Sequence, residues 1–210
     1  MYVSRFIGYD MKKRQRKTAQ KAPVKRGQMR PFTLDQVGML ETLLRQDESS
    51  TSVRDLALLR VGIDSMLRSS DVVALTLRDI RPNGEVAASF QIKQTKTSKA
   101  VACDLSEKTQ AALTAWLALN PEMTPSDRVF AITTRQHQRI VKTWCELLKL
   151  DPALYSTHSI RRTKAAFIYA KTKNLAAVKE LLGHATAAAT GVYLGVTNED
   201  ARNLARQFQI

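Results

Sequence analysis

Two short stretches of alternating apolar and polar residues constrain the fold of this chain most. The alternation runs through residues 88–92, stops at a polar segment at 94–99, and resumes at 101–105. Two such runs around a short polar segment predict a β-hairpin, although no glycine marks its turn. Residues 76–80, which precede a Pro-Asn-Gly turn, predict a third strand.

Most of the remaining chain has helical spacing of its apolar residues. Residues 33–36 predict a capping box and residues 52–55 predict a second N-cap, each followed by apolar residues three or four apart. Further helices are predicted at 106–119, 133–149, 157–172, 174–182, a short piece ending near Tyr193, and 198–208, with N-caps at Asn174 and Thr197. The predicted fold class is mainly α with a small antiparallel β-sheet (α+β).

Composition excludes several classes of protein. No uninterrupted apolar run approaches the roughly 20 residues of a membrane span, and the N-terminus lacks the order of a secretory signal. We therefore expect a cytoplasmic protein without a membrane partner. Cys103 and Cys145 are too few and too far apart for a disulfide framework. We expect two buried or half-buried thiols, no metal and no cofactor, with a site built from His137 and a cysteine as the open alternative.

The positive charge is concentrated at the N-terminus. Residues 1–30 hold ten Lys and Arg and one Asp, hence +9 of the formal +14, and the other 180 residues carry +5. These 30 residues are too polar to fold alone, so we predict a flexible basic arm and a domain from Pro31 to residue 210. Such an arm fits DNA, RNA, ribosome or anionic-membrane contacts equally well. Its predicted DNA contacts are Lys12, Lys13, Arg14, Arg16, Lys17, Lys25 and Arg26.

Two arginines and a histidine in separate segments suggest a phosphate site. Arg68 follows the second helix pattern, while His158 and Arg161 are three residues apart and so share one face of a helix. The planar guanidinium fork binds phosphate oxygens in pairs and keeps its charge at any working pH. Two arginines can therefore clamp the non-bridging oxygens of one phosphate and stabilise a pentacoordinate transition state.

The complete order of motifs resembles the tyrosine recombinases, which include phage and plasmid integrases. That order is Arg68, Lys96 at the hairpin tip, His158-x-x-Arg161, and Leu-Leu-Gly-His184 with Tyr193 nine residues later. The resemblance runs from about Pro31 to the C-terminus. It implies the catalytic-domain fold of that family. It also implies an enzyme that cuts and rejoins double-stranded DNA through a 3′-phosphotyrosine intermediate, without metal or ATP.

The resemblance assigns a role to each remaining site residue. Tyr193 is the expected nucleophile, and its phenol needs help to lose a proton because the ordinary pKa is near 10. His158 is the expected general base or hydrogen-bond partner in the phosphate pocket. Lys96 is expected to protonate the departing 5′ oxygen, and His184 to support the phosphate through a hydrogen bond.

Each assignment has a structural alternative. Lys93 and Lys99 compete with the lysine at the hairpin tip, and Arg162 can be mistaken for its neighbour in the His-x-x-Arg motif. The histidine after Gly183 can be a plain helix C-terminus. The nucleophile can instead be a core aromatic, as we expect for Tyr169 and Phe167.

The sequence departs from the family pattern in three places. Met66 stands where the family has a glycine before the first arginine, which removes an easy left-handed turn. Asp71 replaces a glutamate and shortens the reach of its carboxylate. Family members usually carry about a hundred N-terminal residues that complete a clamp around DNA, and residues 1–30 cannot build that core-binding domain. We therefore expect weak, salt-dependent DNA binding, aided by the arm or by an accessory protein.

The leading hypothesis is a site-specific recombinase or integrase of a mobile element. The resemblance implies a tetramer on paired DNA sites, with the helix at 198–208 exchanged between protomers, and we expect a monomer when DNA is absent. A non-catalytic or accessory DNA-binding integrase remnant is the main alternative. Type IB topoisomerase activity and RNA or ribosome binding are two others.

Overall fold

The computed structural model describes residues 28–197 together with Glu199, Arg202 and Arg206. The predicted C-terminal helix at 198–208 lies outside the described residues apart from those three. Seven predicted DNA contacts of the arm also lie outside them: Lys12, Lys13, Arg14, Arg16, Lys17, Lys25 and Arg26.

The end of the predicted arm already contacts the domain. The backbone N–H of Arg30 donates to the carbonyl oxygen of Leu154 at 2.8 Å. The carbonyl oxygen of Met29 accepts from the guanidinium of Arg162 at 2.6 Å. Within the described residues, Met29 and Arg30 therefore contact the domain although they precede its predicted start at Pro31.

The described chain is helical around one hairpin, as predicted. Its elements are α1 Leu34–Gln46, α2 Ser50–Ser65, α3 Ser69–Val72, α4 Leu77–Ile80, β1 Ser89–Lys93, β2 Ala100–Asp104, α5 Glu107–Ala118, α6 Thr134–Leu147, a 3-10 turn Pro152–Leu154, α7 Thr157–Thr172, α8 Leu175–Leu182 and α9 Ala187–Leu194. The fold class is mainly α with one small antiparallel sheet.

Side-chain caps determine where the first two helices begin. Thr33 and Gln36 form the predicted capping box of α1. The prediction for α2 was wrong by several residues, because Ser49 and not Ser52 is its N-cap. The hydroxyl of Ser49 accepts the N–H of Ser52 at 3.2 Å, so the earlier serine already satisfies the free N–H groups of the first turn.

The predicted third strand at 76–80 is wrong. Thr76 makes one isolated bridge with Arg128, and the next residues form the short helix α4. Asp79 accepts hydrogen bonds from the backbone N–H and the hydroxyl of Thr76, both at 2.8 Å. Thr-x-x-Asp is a capping pattern, and this local hydrogen bonding favours a helix over a strand.

The predicted hairpin is confirmed. Phe90 pairs with Cys103 in the antiparallel register, and both side chains are buried. The N–H of Gln94 donates to the carbonyl of Lys99 at 2.8 Å, which closes the turn. Ser98 takes the left-handed conformation, with φ of 54°, that a turn glycine would otherwise supply.

Helix α2 is the centre of the main core. It packs against α1, α5 and α7, and nearly every residue of its second half is buried. A smaller cluster of Met66, Ala165, Val178 and Leu182 joins the end of α2 to α7 and α8. The half-buried rings of Tyr169 and Tyr193 pack against this smaller cluster.

Phe167 does not join the core, contrary to the prediction. Ile160 is buried against α2, whereas Phe167, two turns further along α7, is 42% exposed. The ammonium of Lys171 lies 5.9 Å from the centre of its ring. A seven-residue spacing places two side chains on one helix face, but it does not say how far the opposing surface extends.

Both cysteines are buried free thiols, as expected. Burial raises the pKa of Cys103 to about 12 and that of Cys145 to about 11, so both stay protonated. Among the described residues, no group of three or more His, Cys, Asp or Glu is placed to hold a metal ion. Within the same residues, every helix is too short or too polar to cross a membrane.

His137 is a buried, neutral histidine of α6. Its Nδ1 lies 2.9 Å from the hydroxyl of Ser69, the residue that follows Arg68, and its Nε2 has no protein partner among the described residues. Burial lowers the pKa of His137 to about 4. The imidazole is therefore a packing group that joins α6 to α3.

Gly62 allows α2 and α7 to approach each other closely. A Cβ at this position would lie 2.8 Å from Cγ2 of Ile160, a branched side chain with little freedom to move in a helix. We expect Gly62→Ala to lower the free energy of unfolding by about 1–3 kcal/mol, the usual cost of overpacking. Urea titration of the full chain measures this change.

Gly38→Ala in α1 is the matched control, because nothing lies within 4 Å of its added Cβ. That variant should raise the free energy of unfolding by about 0.5–1 kcal/mol, the normal preference for alanine in a helix. Equal effects of the two substitutions would contradict the close contact between α2 and α7.

His137 should make stability depend on pH. Its folded pKa of about 4 is below the ordinary value of 6.5, so the unfolded chain binds a proton that the folded chain excludes between these values. Stability therefore falls as the pH drops through this window, by about 2 kcal/mol from pH 7 to pH 5. In urea titrations, His137→Gln should lose the fall in the free energy of unfolding between pH 7 and pH 5. If the variant keeps the same dependence on pH, His137 is not its cause.

Candidate active site

The first turn of α7 holds the His-x-x-Arg motif. Ser156 caps this helix, and its hydroxyl accepts the N–H of His158 at 3.2 Å. Three residues on, Arg161 is only 2% exposed and points into the protein. The two side chains therefore share one face of α7, with His158 exposed at the surface and Arg161 buried.

Arg161 joins two chain segments that are far apart in sequence. Its Nη1 donates to the carbonyl oxygen of Met66 at 2.5 Å, and its Nη2 donates to that of Leu182 at 2.7 Å. Burial lowers the pKa of Arg161 to about 10, which leaves the group charged at neutral pH. One buried cation thus holds the end of α2 next to the end of α8.

Met66 keeps the turn that the family makes with glycine. It ends α2 in the left-handed conformation with φ of 50°, and its side chain is buried in the smaller cluster. Two residues later, Arg68 precedes α3 and its Nη1 donates to the Oε1 of Gln94 at 2.6 Å. A left-handed turn before Arg68 is therefore present without glycine, at the cost of a strained methionine.

Asp71 reaches the hairpin in spite of its short side chain. Its Oδ1 accepts the backbone N–H of Thr95 at 2.9 Å, and the residue is 2% exposed. The next residue, Lys96, is exposed on the hairpin turn, and its charge is one of those that lower the pKa of His158.

His184 follows the left-handed Gly183 that ends α8. Its Nδ1 lies 3.1 Å from the hydroxyl of Thr190, a buried residue of α9. Burial first, and then the charges of Arg161 and Arg68, lower the pKa of His184 to about 4. The structure therefore places a neutral imidazole beside two arginines.

Tyr193 lies on α9 among the same charged groups. Its hydroxyl donates to the carbonyl oxygen of His158 at 3.5 Å, and its ring meets that of His184 edge-on at 5.2 Å. Burial raises the pKa of Tyr193 to about 12, although the charges of Arg161, Arg162 and Arg68 act to lower it. The phenol is thus protonated at neutral pH.

The structure brings all six candidate residues into one region. The pKa of His158 is lowered by burial first and then by the charges of Arg161, Arg68, Arg162 and Lys96. This clustering of cations around a neutral imidazole and a phenol is a site suited to an anion.

Three contacts of the site escaped the sequence analysis. Gln94 is buried and contacts Arg68. It is an even number of residues after Phe90, so the alternating strand pattern could have predicted that it faces inward. Thr190 lies three residues before Tyr193, on the same face of α9. Arg162 places its guanidinium 5.1 Å from the centre of the Tyr193 ring, and only the fold reveals that contact.

A cavity of about 350 Å³ opens beside the phenol. It is lined by Gln28, Met29, His158, Arg162, Ala189, Val192 and Tyr193. Val192 is 70% exposed at its edge. Tyr193 is therefore a half-buried residue that lines this cavity rather than one sealed in the core.

Comparison with known proteins identifies relatives of the chain. The family model described as "Phage integrase family" matches residues 32–200. Tyrosine recombinase XerC of Psychromonas ingrahamii (strain DSM 17664 / CCUG 51855 / 37) is 28% identical over 175 residues, which are 80% of this chain and 56% of that relative. The chain spans little more than half the length of the first curated relatives that it matches.

Solved structures share the fold. The XerH site-specific recombinase bound to difH substrate, a pre-cleavage complex, has a TM-score of 0.66 at 18% identity, over 84% of this chain and 53% of that one. The catalytic domain of bacteriophage HP1 integrase has a TM-score of 0.57 at 17% identity, over 87% of this chain and 96% of that one. The described fold is that of a tyrosine recombinase catalytic domain.

Proposed function

Because this chain belongs to the phage integrase family, we propose that it is a site-specific DNA recombinase that cuts and rejoins DNA through Tyr193. The observation that carries the proposal is the position of Tyr193, which lines an open cavity, is hydrogen-bonded to Arg161 and lies within reach of the charge of Arg68. A nucleophile, a phosphate clamp and a histidine are the groups that a phosphoryl transfer requires.

Arg68 and Arg161 form the proposed clamp for the scissile phosphate. A guanidinium has five N–H donors, and the described protein contacts of Arg161 use one on each Nη. A further side-chain hydrogen bond joins Arg161 to Tyr193, which brings the proposed nucleophile into contact with the proposed clamp for the non-bridging oxygens. Charge that develops on these oxygens in the transition state is stabilised by cations already in place, the role that metal ions have in many nucleases.

Tyr193 is the proposed nucleophile. Because its pKa is raised to about 12, the hydroxyl must give up its proton as its oxygen bonds to phosphorus. His158 is the proposed acceptor, since burial and nearby cations lower its pKa and leave a neutral imidazole at pH 7. The hydroxyl already lies beside the backbone of this residue.

Lys96 is the proposed general acid. As the bond from phosphorus to the 5′ oxygen breaks, its ammonium gives a proton to that oxygen, and the 3′ phosphate remains esterified to Tyr193. His184, held by Thr190, supports the phosphate oxygens. The phosphotyrosine ester keeps the energy of the broken phosphodiester, so a 5′-hydroxyl can reverse the attack without ATP.

Helix α6 is the proposed DNA-facing surface outside the reaction centre. Arg135, Arg139 and Lys142 are exposed at spacings of four and three residues, which places them on one face. The opposite face is anchored beside the site, since His137 contacts Ser69 next to Arg68. A row of cations on this face suits the phosphates of a duplex that passes the clamp.

Double-stranded DNA is the proposed substrate, because the similar Tn1549 transposon integrase structure is a complex with transposon right end DNA. Assembly as a tetramer on paired sites, help from an accessory protein, and exchange of the segment at 198–208 between protomers are parts of the same proposal. The tetramer is argued from the recombination reaction, in which two duplexes exchange strands, and the other two parts are implied by the resemblance to the family.

Tyr193→Phe should abolish covalent attachment to DNA, because phenylalanine has no oxygen to attack phosphorus. The target site is first selected from a randomised duplex library by binding, and is then offered as a nicked suicide substrate. A denaturing gel should show a protein–DNA band for the unaltered chain and none for the variant.

Tyr169→Phe is the matched control and should keep the band, since that half-buried tyrosine lies outside the site. A band that persists in Tyr193→Phe would refute the nucleophile. Specific binding by the unaltered chain with no adduct would instead support a non-catalytic DNA-binding role.

Replacing Arg135 and Arg139 with Gln should weaken DNA binding and flatten its dependence on salt. Each lost phosphate contact removes about 0.9 from the slope of log affinity against log salt, so the double variant should lose up to about 2. Filter binding at several salt concentrations measures the slope. Replacing exposed Arg45 and Lys108 on α1 and α5 is the control. Equal losses in the two double variants would exclude a specific role of α6.

A further inference from the structure

Gln94 is a buried polar residue at the point where the hairpin meets the site. It directly follows β1 and is 1% exposed. Its backbone closes the hairpin turn through the N–H to Lys99 and through the carbonyl that accepts from Ser98 at 2.9 Å. A buried amide of this kind must find hydrogen-bond partners for its side chain.

The side-chain amide of Gln94 contacts three parts of the site. Its Oε1 accepts from the Nη1 of Arg68 at 2.6 Å and from the hydroxyl of Thr97 at 2.9 Å. Its Nε2 donates to the carbonyl oxygen of Leu182 in a longer contact of 3.4 Å. One neutral group therefore joins the first arginine, the hairpin turn and the end of α8.

The carbonyl oxygen of Leu182 also accepts from Arg161 at 2.7 Å. Arg161 also donates to the carbonyl oxygen of Met66, two residues before Arg68. The hydrogen bonds thus form a closed ring from Arg68 through Gln94, Leu182 and Arg161 back to the segment that carries Arg68. In such a ring, the separation of the two guanidinium groups depends on every member.

Gly183 leaves the space that this ring needs. A Cβ at Gly183 would lie 3.1 Å from Nε2 and 3.2 Å from Oε1 of Gln94. The left-handed φ of 62° at Gly183 also favours glycine. The glycine before His184 therefore serves the amide of Gln94 as well as the end of α8.

We propose that Gln94 is a positioning residue that sets the spacing of Arg68 and Arg161 for the scissile phosphate. The proposal rests on the proposed function. Because the amide is neutral, it orients Arg68 without cancelling the charge that the phosphate requires. A carboxylate of the same shape would accept from Arg68 as an ion pair and would lose the donor to Leu182.

Gln94→Glu and Gln94→Leu in the full chain test this role, with Gln91→Glu as the matched control on the exposed side of the same strand. We expect Gln94→Glu to slow single-turnover cleavage of the suicide substrate by about 10²-fold, close to the effect of losing one oxyanion donor. Gln91→Glu should cleave like the unaltered chain. The double variant Gln94→Glu with Arg68→Ala should be no slower than Arg68→Ala alone, because both changes act on the same interaction between Gln94 and Arg68.

A substrate with sulfur in place of the bridging 5′ oxygen separates this role from an effect on Lys96. A thiolate leaves without a proton, so this substrate should restore cleavage by Lys96→Ala but not by Gln94→Glu. Recovery of Gln94→Glu to the same extent as Lys96→Ala would mean that Gln94 acts through the hairpin turn, and the clamp proposal would fall.

Arginine side-chain NMR of the DNA-free chain tests the ring without any cleavage. In Gln94→Leu, the guanidinium signals of both Arg68 and Arg161 should shift, while the melting temperature shows that the fold persists. A shift confined to Arg68, or none, would overturn the proposal even if the enzyme is active. Conversely, shifts in both arginines of a chain that forms no adduct would reject the proposed function and leave Gln94 as a structural link between them.

Discussion

The buried guanidinium of Arg161 is the interaction on which the arrangement of the site depends. It donates to the carbonyl of Met66 at the end of α2 and to that of Leu182 at the end of α8. Both carbonyls lie at helix ends, where backbone acceptors have no partner within the helix. Removal of this cation would leave the buried carbonyl of Met66 without its donor and that of Leu182 with only the 3.4 Å contact from Gln94, so the charge that serves the proposed chemistry also holds the smaller cluster together.

Burial first, and then the positive charge of the arginines, determine the protonation states of the site. The pKa values of His158 and His184 are lowered by burial and then by Arg161 and Arg68, so both imidazoles are neutral without DNA. The phenol of Tyr193 stays protonated because burial outweighs the same cations, and its pKa rises to about 12. A bound phosphate would bring negative charge to both imidazoles and raise their pKa values, which would make His158 a stronger acceptor for the Tyr193 proton in the proposed reaction.

The local patterns of the sequence predicted most helices and both strands of the hairpin, but they failed where a local cap or the packing surface decided the outcome. Alternation at residues 88–92 and 101–105 predicted the hairpin, since a pleated strand with one buried face has period two. The strand expected at 76–80 is a helix, because the Thr76–Asp79 cap acts locally and competes with the apolar pattern. Phe167 shares a helix face with buried Ile160 yet remains exposed, because exposure depends on the opposing surface and not on spacing.

The sequence by itself determined which chemical groups the site contains and their order along the chain, since the arginines, histidines, lysine and tyrosine can be read from motifs and their spacing. Only the tertiary structure decided how these groups meet. Met66 keeps a left-handed turn without glycine, Asp71 reaches the backbone of Thr95, and Gln94 joins Arg68 to the end of α8. The contacts of Asp71 and Gln94 join segments 24 to 88 residues apart. Spacing along the chain carries no information about such pairs, because their distance is set by how the helices pack.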